Sequence, residues 1–464
     1  MATWKKWLGW LGLAAAVTLA PTAGGATEFS LGGFIALFAV WDSTQMNSNG
    51  TQAVWRNNDP NNHHGRLKIS AERLRMNFTV KGPEVWGAMT SAFIEWDFCG
   101  SGQEYIFTGN PGGGWASPHK ARPRLRHAMF RLNWPETELL LGQYWGLLSE
   151  DGPEAAKPGT SGIPGIIWYR EPQIRLTQQF LGRFEAAVAV AEPGSGADSI
   201  KLPGDQTTTT VQNYYLGESA ESPRVVARIK YEEDLWGKAA YYGRPRGFAV
   251  RVAGAWQRLR FRAYSGDDGR QFGEDNFNRV TVRQRDQQYL NAWVAQTSFF
   301  IPVLTTRTEN LAGTLSLLTH WYVGTALDLE KEADPANSSY LNLVRREGNT
   351  YIGDRQLARQ FGGFVQAQYY FTNQWYVNLL WGMNRVFDLD RDRWLGTTTS
   401  ADPVKRHQHC YVTLWYNPIK ALKFGLEYGY YRTDYFQKTT ATGTSAVSDH
   451  GENHRLVAVG YFFF

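Results

Sequence analysis

Apolar and polar residues alternate with a period of two along most of this chain, and long helical periodicity does not occur. The alternation predicts strands near 29–41, 66–80, 86–98, 122–133, 138–145, 173–181, 183–191 and 223–232. Further strands are predicted near 248–264, 288–301, 313–325, 357–371, 374–387, 404–416, 421–434 and 454–464, sixteen in all. Short connections such as Lys81-Gly-Pro-Glu84, Pro135-Glu-Thr-Glu138, Leu181-Gly-Arg183, Thr372-Asn-Gln374 and Asn417-Pro-Ile-Lys420 alternate with long ones. The long ones cover 42–65, 99–121, 146–172, 192–222, 265–287, 326–356, 388–403 and 435–453, and carry the Gly, Asn, Asp, Pro and Thr punctuation. The pattern is that of an all-β fold, a transmembrane antiparallel β-barrel of about 16 strands with short periplasmic turns and long extracellular loops.

The two faces of each strand differ. In 374–385, Trp375, Val377, Leu379, Trp381 and Met383 share one face, and Tyr376, Asn378, Gly382 and Asn384 share the other. In 223–232, Val225, Ala227, Ile229 and Tyr231 oppose Arg224, Arg228, Lys230 and Glu232. A parity shift between Trp256 and Leu259 predicts a β-bulge, as does another near Glu72 and Arg73. A lipid-facing strand keeps charge off its outer face, so the basic residues are assigned to the lumen. They are Lys68, Arg75, Arg124, Arg126, Arg175, Arg224, Arg228, Lys230, Arg251, Arg258, Arg260, Arg262 and Lys405. The inward acids are Glu95, Asp97, Glu185, Glu232 and Glu427. An arginine-rich lumen biases a pore toward anions, because the guanidinium fork matches two oxygens. The alternative is that these arginines pair with loop acids and hold the loops in place.

Composition fits the alternation. The 464 residues are 43% hydrophobic, 14% aromatic and 20% charged, and mean hydropathy is −0.42. A barrel keeps its apolar residues at every second position, so a polar average and many aromatics coexist. Disorder, a collagen repeat and a disulfide scaffold are excluded, since Cys99 and Cys410 are the only cysteines and lie far apart on the strand count. Past the N-terminus no apolar run is long enough for a membrane helix.

The ends assign a compartment. Lys5 and Lys6 precede an apolar run from Trp7 to Ala20 and small residues at Gly24 and Ala26, the layout of a signal peptide. Cleavage after Ala26 leaves 27–464 as the barrel and lowers the net charge from +5 to +3. The chain ends Leu456-Val-Ala-Val-Gly-Tyr-Phe-Phe-Phe464, which resembles the terminal strand of bacterial outer-membrane barrels. The resemblance implies recognition of Phe464 by the barrel-assembly machinery and a place in the outer membrane.

The third long loop, 146–172, combines acids, small residues and an apolar end. In sixteen-stranded porins the third loop folds inward. Here that would set Glu150, Asp151, Glu154 and Lys157 at a constriction, the acids facing the arginine wall across a transverse field. Thr90-Ser-Ala-Phe-Ile-Glu95-Trp-Asp-Phe98 resembles the E-x-D-F strand of DcaP-like trimeric porins. Arg124-Leu-Arg-His127-Ala-Met-Phe-Arg131 and Glu138-Leu-Leu-Leu-Gly-Gln143-Tyr-Trp145 resemble that family's RLRHA and L-x-x-G-Q-x-W block. The close match covers about 60 residues. It implies a homotrimeric outer-membrane channel preferring small anions such as dicarboxylates, with Arg124 and Arg126 lining it and Glu95 and Asp97 on the facing strand. The coiled-coil extension that such porins can carry is not matched between Ala26 and Phe29.

Other chemistries find little support. No Cys-x-x-Cys-His or glycine-rich phosphate loop occurs, and Asp388-Leu-Asp-Arg-Asp392 lacks the later Gly and Glu of a calcium loop. His407 with His409, and His63 with His64, lack the further ligands of a zinc site. No cofactor, metal or nucleic-acid partner is expected; the expected partners are small anionic solutes, outer-membrane lipid and two further copies of the chain. A barrel enzyme of the lipase or protease type and a structural or adhesive barrel with a plugged lumen are the alternatives to a channel.

Overall fold

The computed structural model describes residues 28–46, 54–71, 73–99, 123–149, 151–156, 165–194, 217–261, 287–325, 340–347, 350–387, 404–435 and 449–464. It also describes the short pieces 264–265, 271–272, 280–281, 284–285, 439–440 and 443–444. The predicted signal peptide, Asp388-Leu-Asp-Arg-Asp392, Glu150, Lys157 and Arg262 lie outside these residues.

Sixteen antiparallel staves form one closed sheet. They are β1 (Glu28–Asp42), β2 (Arg66–Ser70 and Arg75–Val85), β3 (Ala88–Asp97), β4 (Arg124–Asn133), β5 (Thr137–Trp145) and β6 (Arg170–Phe180). Next come β7 (Phe184–Ala191), β8 (Arg224–Glu233), β9 (Phe248–Phe261), β10 (Gln288–Leu304) and β11 (Leu315–Thr325). The last are β12 (Arg359–Tyr370), β13 (Trp375–Phe387), β14 (Val404–Ile419), β15 (Leu422–Tyr435) and β16 (His450–Phe463). Each pairs with its sequence neighbour, and β16 pairs with β1 from Phe463↔Phe34 to Arg455↔Asp42. Closure leaves no open edge, as a bilayer requires.

The outer face is apolar. Exposed Ile35, Leu37 and Trp41 lie on β1, Ile174 and Leu176 on β6, Trp375 and Leu379 on β13, and Val412 and Leu414 on β14. Among the described residues no helix is long and apolar enough to cross a membrane; the apolar outer face is the kind of surface that a β-barrel turns to lipid. The break in β2 adds one residue between Ser70 and Arg75 relative to its partner, since Phe38 pairs with Ser70 and Phe34 with Arg75. That parity switch falls where the sequence placed it. The switch expected near Arg258 is absent: β9 pairs with β8 and β10 without a register shift. An unforeseen bulge lies in β4, where Glu95 faces His127 and Trp96 faces Leu125, so that both Arg126 and His127 turn inward and are buried.

The seam between first and last strands carries a fully buried ion pair. Arg455 Nε donates to Asp42 at 2.6 Å, and Asp42 also accepts from Arg66 at 2.8 Å and Asn453 at 2.9 Å. At Gly33 a Cβ would stand 2.2 Å from the carbonyl oxygen of Arg75, and this glycine exchanges two backbone hydrogen bonds with Phe464, 3.1 and 3.2 Å long. Removing one partner of a buried pair strands the other. Asp42→Ala is therefore expected to lower barrel stability by about 3–5 kcal/mol, read as an earlier urea midpoint for loss of the heat-modifiable form. An unchanged midpoint would show that the pair is not a closing contact.

Candidate functional site

The lumen is narrowed from both ends. The loop after β5 turns inward at Gly146 and lays Leu147 and Leu148 against Ala187 and Ala189 of β7, Val226 of β8, and Ala253 and Ala255 of β9. Alanines on the inward side of those strands leave the volume that the two leucines fill. The loop then reaches the far wall. Glu154 N–H donates to Gln366 Oε1 at 3.1 Å, and its carbonyl accepts from Gln366 at 2.7 Å and Asn378 at 2.9 Å. Ala156 N–H donates to Glu427 at 2.8 Å, and Ala156 carbonyl accepts from Tyr461 at 3.1 Å. A loop buried away from water must find partners for its backbone, and the inward Gln, Asn, Glu and Tyr residues supply them. The returning strand of the loop passes so close to β12 that a Cβ on Gly165 (φ +85°) would sit 2.0 Å from the Gly363 carbonyl oxygen.

From the opposite end a short hairpin between β8 and β9, Ala239–Tyr241 paired with Arg244–Arg246, folds into the lumen. Its turn residues Tyr242 (φ 49°) and Gly243 (φ 73°) both have positive φ, as a two-residue type I′ turn needs. Ala240 carbonyl accepts from Ser316 at 2.8 Å, and Tyr241 packs edge-on to Phe300 at 5.6 Å. The hairpin grips the loop: Tyr242 OH donates to Pro153 carbonyl at 2.9 Å and Arg246 Nη1 donates to Asp151 at 2.9 Å.

The acids of the loop are thereby neutralised. Asp151 meets Arg246 and, at 3.7 Å, Arg251, and accepts from Ser298 at 3.2 Å. Glu154 meets Lys423 and accepts from Tyr376 at 2.9 Å and Gln368 at 2.7 Å. The expected transverse field from these two acids is corrected: each is paired with its own cation, Glu154 buried and Asp151 largely so. Burial alone would push the Asp151 carboxyl up, but Arg251 and Arg246 hold it well below its ordinary 3.8.

The predicted basic residues divide into groups. Arg126 joins Glu95 (2.6 Å) to Asp97 (2.9 Å), and Arg124 also binds Asp97 (2.6 Å). Arg175 pairs with Glu138 (3.1 Å), Arg224 with Glu171 (2.7 Å), Arg228 with Glu185, and Lys230 with Glu232 (2.7 Å). Lys68 and Arg75 point inward and are half-buried, and Arg75 stands 3.6 Å from Glu95. Lys405 is the extra residue of a bulge between Val404 and Arg406. Arg258 and Arg260 are a second correction. They share the outer face of β9 with Val252 and Trp256, while Leu259 and Phe261 are fully buried inside. The chain puts two apolar residues inside at the extracellular end, where Leu290 and Ala292 pack on them, so no bulge is needed. His407 and His409 are buried inward, and no group of three metal-ligating side chains occurs among the described residues. Neither Cys99 nor Cys410 is in a disulfide.

What remains open to water is one-sided. On β9 and β11–β14, inward side chains such as Arg251, Gln257, His320, Gln366, Asn384 and His409 are buried. Inward side chains that retain exposure cluster on β2–β5 and at the periplasmic ends of β7 and β8: Lys68, Arg75, Asn77, Arg124, Arg131, Glu138, Tyr144, Glu185, Lys230 and Glu232. Arg131 lies over the Tyr144 ring at 4.7 Å and Arg75 over Phe34 at 5.0 Å, which fixes both guanidinium planes. Sequence reasoning missed Arg131, Arg246 and Lys423. Arg246 follows a Tyr-Tyr-Gly turn signal that falls between two correctly read strands.

The architecture is a closed sixteen-stranded antiparallel barrel narrowed by its third loop. The fold is similar to the outer membrane channel DcaP of Acinetobacter baumannii, with a TM-score of 0.62 and 15% identity over 95% of this chain and 99% of that one. Vibrio cholerae OmpT in its trimer form aligns with a TM-score of 0.48 and 8% identity, covering 95% of this chain and 100% of that one. Salmonella typhi OmpF in complex with daunomycin aligns with a TM-score of 0.47 and 12% identity, covering 94% and 97%. No family model and no curated protein matches the chain.

Arg246→Gln is expected to release the loop tip and increase open-channel current noise in planar bilayers while the barrel stays folded. Noise equal to that of the parent would show that the hairpin does not position the loop. A carboxyl held low in the fold contributes its full stabilisation above its ordinary pKa and loses it progressively as the pH falls from that value through the lowered one. Channel noise is therefore expected to stay constant from neutral pH to about pH 4 and to rise in stronger acid. A rise already between neutral pH and about pH 5 would contradict the Asp151 anchor.

Proposed function

We propose that the chain is a Gram-negative outer-membrane porin that passes small hydrophilic solutes by passive diffusion and prefers anions, dicarboxylates among them. The observation that carries this reading is the one-sided lumen. Where water reaches inward side chains, Lys68, Arg75, Arg131 and Lys230 outnumber Glu138, Glu185 and Glu232, with Arg124 left out of the balance because Asp97 matches it. The acids Glu95 and Asp97, each buried against an arginine, add little outward field. A passing carboxylate would exchange between neighbouring guanidinium groups without a deep trap, as conduction requires. A homotrimer, recognition of Phe464 by the assembly machinery and cleavage after Ala26 belong to the same proposal. No step needs a cofactor or an energy source.

Reversal potentials in a salt gradient across a planar bilayer test the reading. An anion-selective sign is expected. Arg75→Gln with Arg131→Gln is expected to move the potential toward zero, whereas Arg258→Gln with Arg260→Gln on the outer face is expected to leave it unchanged. Cation selectivity in the parent channel would refute the anion preference, and absence of conductance would refute the channel.

A further inference from the structure

The outer face carries charge that the pore does not use. Above the apolar belt, at the extracellular ends of four adjacent strands, Arg359, Arg385, Arg406 and Arg432 all sit on the lipid-facing parity of β12–β15. Arg385 and Arg406 are direct cross-strand partners, and Arg432 pairs with Gln408 one rung below on the same face. Like charges directly opposite on one face destabilise a sheet. The local acids compensate only in part. Asp434 accepts from Arg406 at 2.6 Å and from Arg432 at 2.9 Å, and Glu452 accepts from Arg432 at 3.1 Å and Tyr430 at 2.7 Å. Arg385 is exposed, and no acid among the described residues pairs with it.

We propose that this patch binds the phosphate groups of an outer-leaflet lipid. Phosphate fits because a guanidinium fork engages two of its oxygens, and Arg385, which no acid among the described residues matches, stands directly opposite Arg406, whose one acid, Asp434, is shared with Arg432. A lipid fits because of what lies below. Arg385 stands two residues from Met383 and four from Trp381 on one strand face, Trp381 contacts Trp321 at a ring distance of 6.3 Å, and Cys410, Val412 and Leu414 continue an apolar outer face on β14. One molecule with acyl chains on that surface places its phosphate at the height of Arg385 and Arg406. Arginine on the lipid face is costly at mid-depth and costs little near the interface, which is where these residues stand. The proposal rests on the barrel residing in an outer membrane.

The test uses the full protein extracted from outer membranes in mild detergent. Native mass spectrometry and phosphate analysis read the bound lipid in the parent, in Arg385→Gln with Arg406→Gln, and in Arg258→Gln with Arg260→Gln. The parent is expected to retain phosphorylated lipid, and the Arg385 and Arg406 variant to retain roughly tenfold less, as expected when charge-assisted hydrogen bonds to one anion are lost. The Arg258 and Arg260 variant is expected to retain the parental amount. Delipidated protein is then titrated with diphosphorylated lipid A and with its dephosphorylated form, and inorganic phosphate is added as a competitor. Preference for the phosphorylated form supports the site. Equal binding of both forms, equal loss in both variants, no bound lipid in the parent, or a changed oligomeric state in the Arg385 and Arg406 variant would each overturn it. Parental bilayer conductance in the variants shows that they fold, and its absence in the parent would instead strike at the porin reading.

Discussion

Everything in this molecule follows from the demand that no backbone hydrogen-bonding group be left unpaired away from water. In the membrane this forces the sheet to close on itself, and closure fixes which residues of each strand face lipid and which face the lumen. Inside the lumen the same demand applies again to the third loop, which leaves the rim and crosses to the far wall. The loop is held there because Gln366, Asn378, Glu427 and Tyr461 present side-chain donors and acceptors at the places where its peptide groups arrive. The polar residues of β12–β16 thus serve the loop rather than a solute.

That division of labour separates two kinds of inward charge. On the covered wall, arginine and acid meet in buried pairs such as Arg224 with Glu171 and Arg251 with Asp151, which register the loop and the strands against one another. On the uncovered wall, arginines keep part of their surface and lie on aromatic rings, as Arg131 does on Tyr144. A charge already matched by a buried partner contributes little to the field a passing ion feels, whereas a half-exposed one contributes most.

The strands were largely legible in the sequence because a period of two is imposed by the pleat and reinforced by lipid on one side. The largest boundary differences are at β2, read to 80 and found to run to Val85, and at β16, read from 454 and found from His450. Faces were harder. Arg258 and Arg260 were assigned inward on the premise that lipid excludes arginine, but they stand at the interface, where that exclusion fades. The bulge at Arg126 left no mark in the alternation, since both Arg126 and His127 are polar. The site was legible only in outline. That the third loop folds inward was implied by the resemblance to sixteen-stranded porins and suited by its composition, but its partners lie on strands far along the chain, and no local pattern announces them. The hairpin ending at Arg246 escaped notice because a turn that re-enters a lumen looks, residue by residue, like a turn that does not.

The anchoring of the third loop also sets a schedule. Its partners are downstream: Tyr242 follows Pro153 by 89 residues, Gln366 follows Glu154 by 212, and Tyr461 follows Ala156 by 305. Contacts of such separation form late, because the intervening chain must first be ordered. The loop therefore gains its full set of partners only when the last strands are in place. The lumen acquires its final bore as the closing act of the barrel's own assembly.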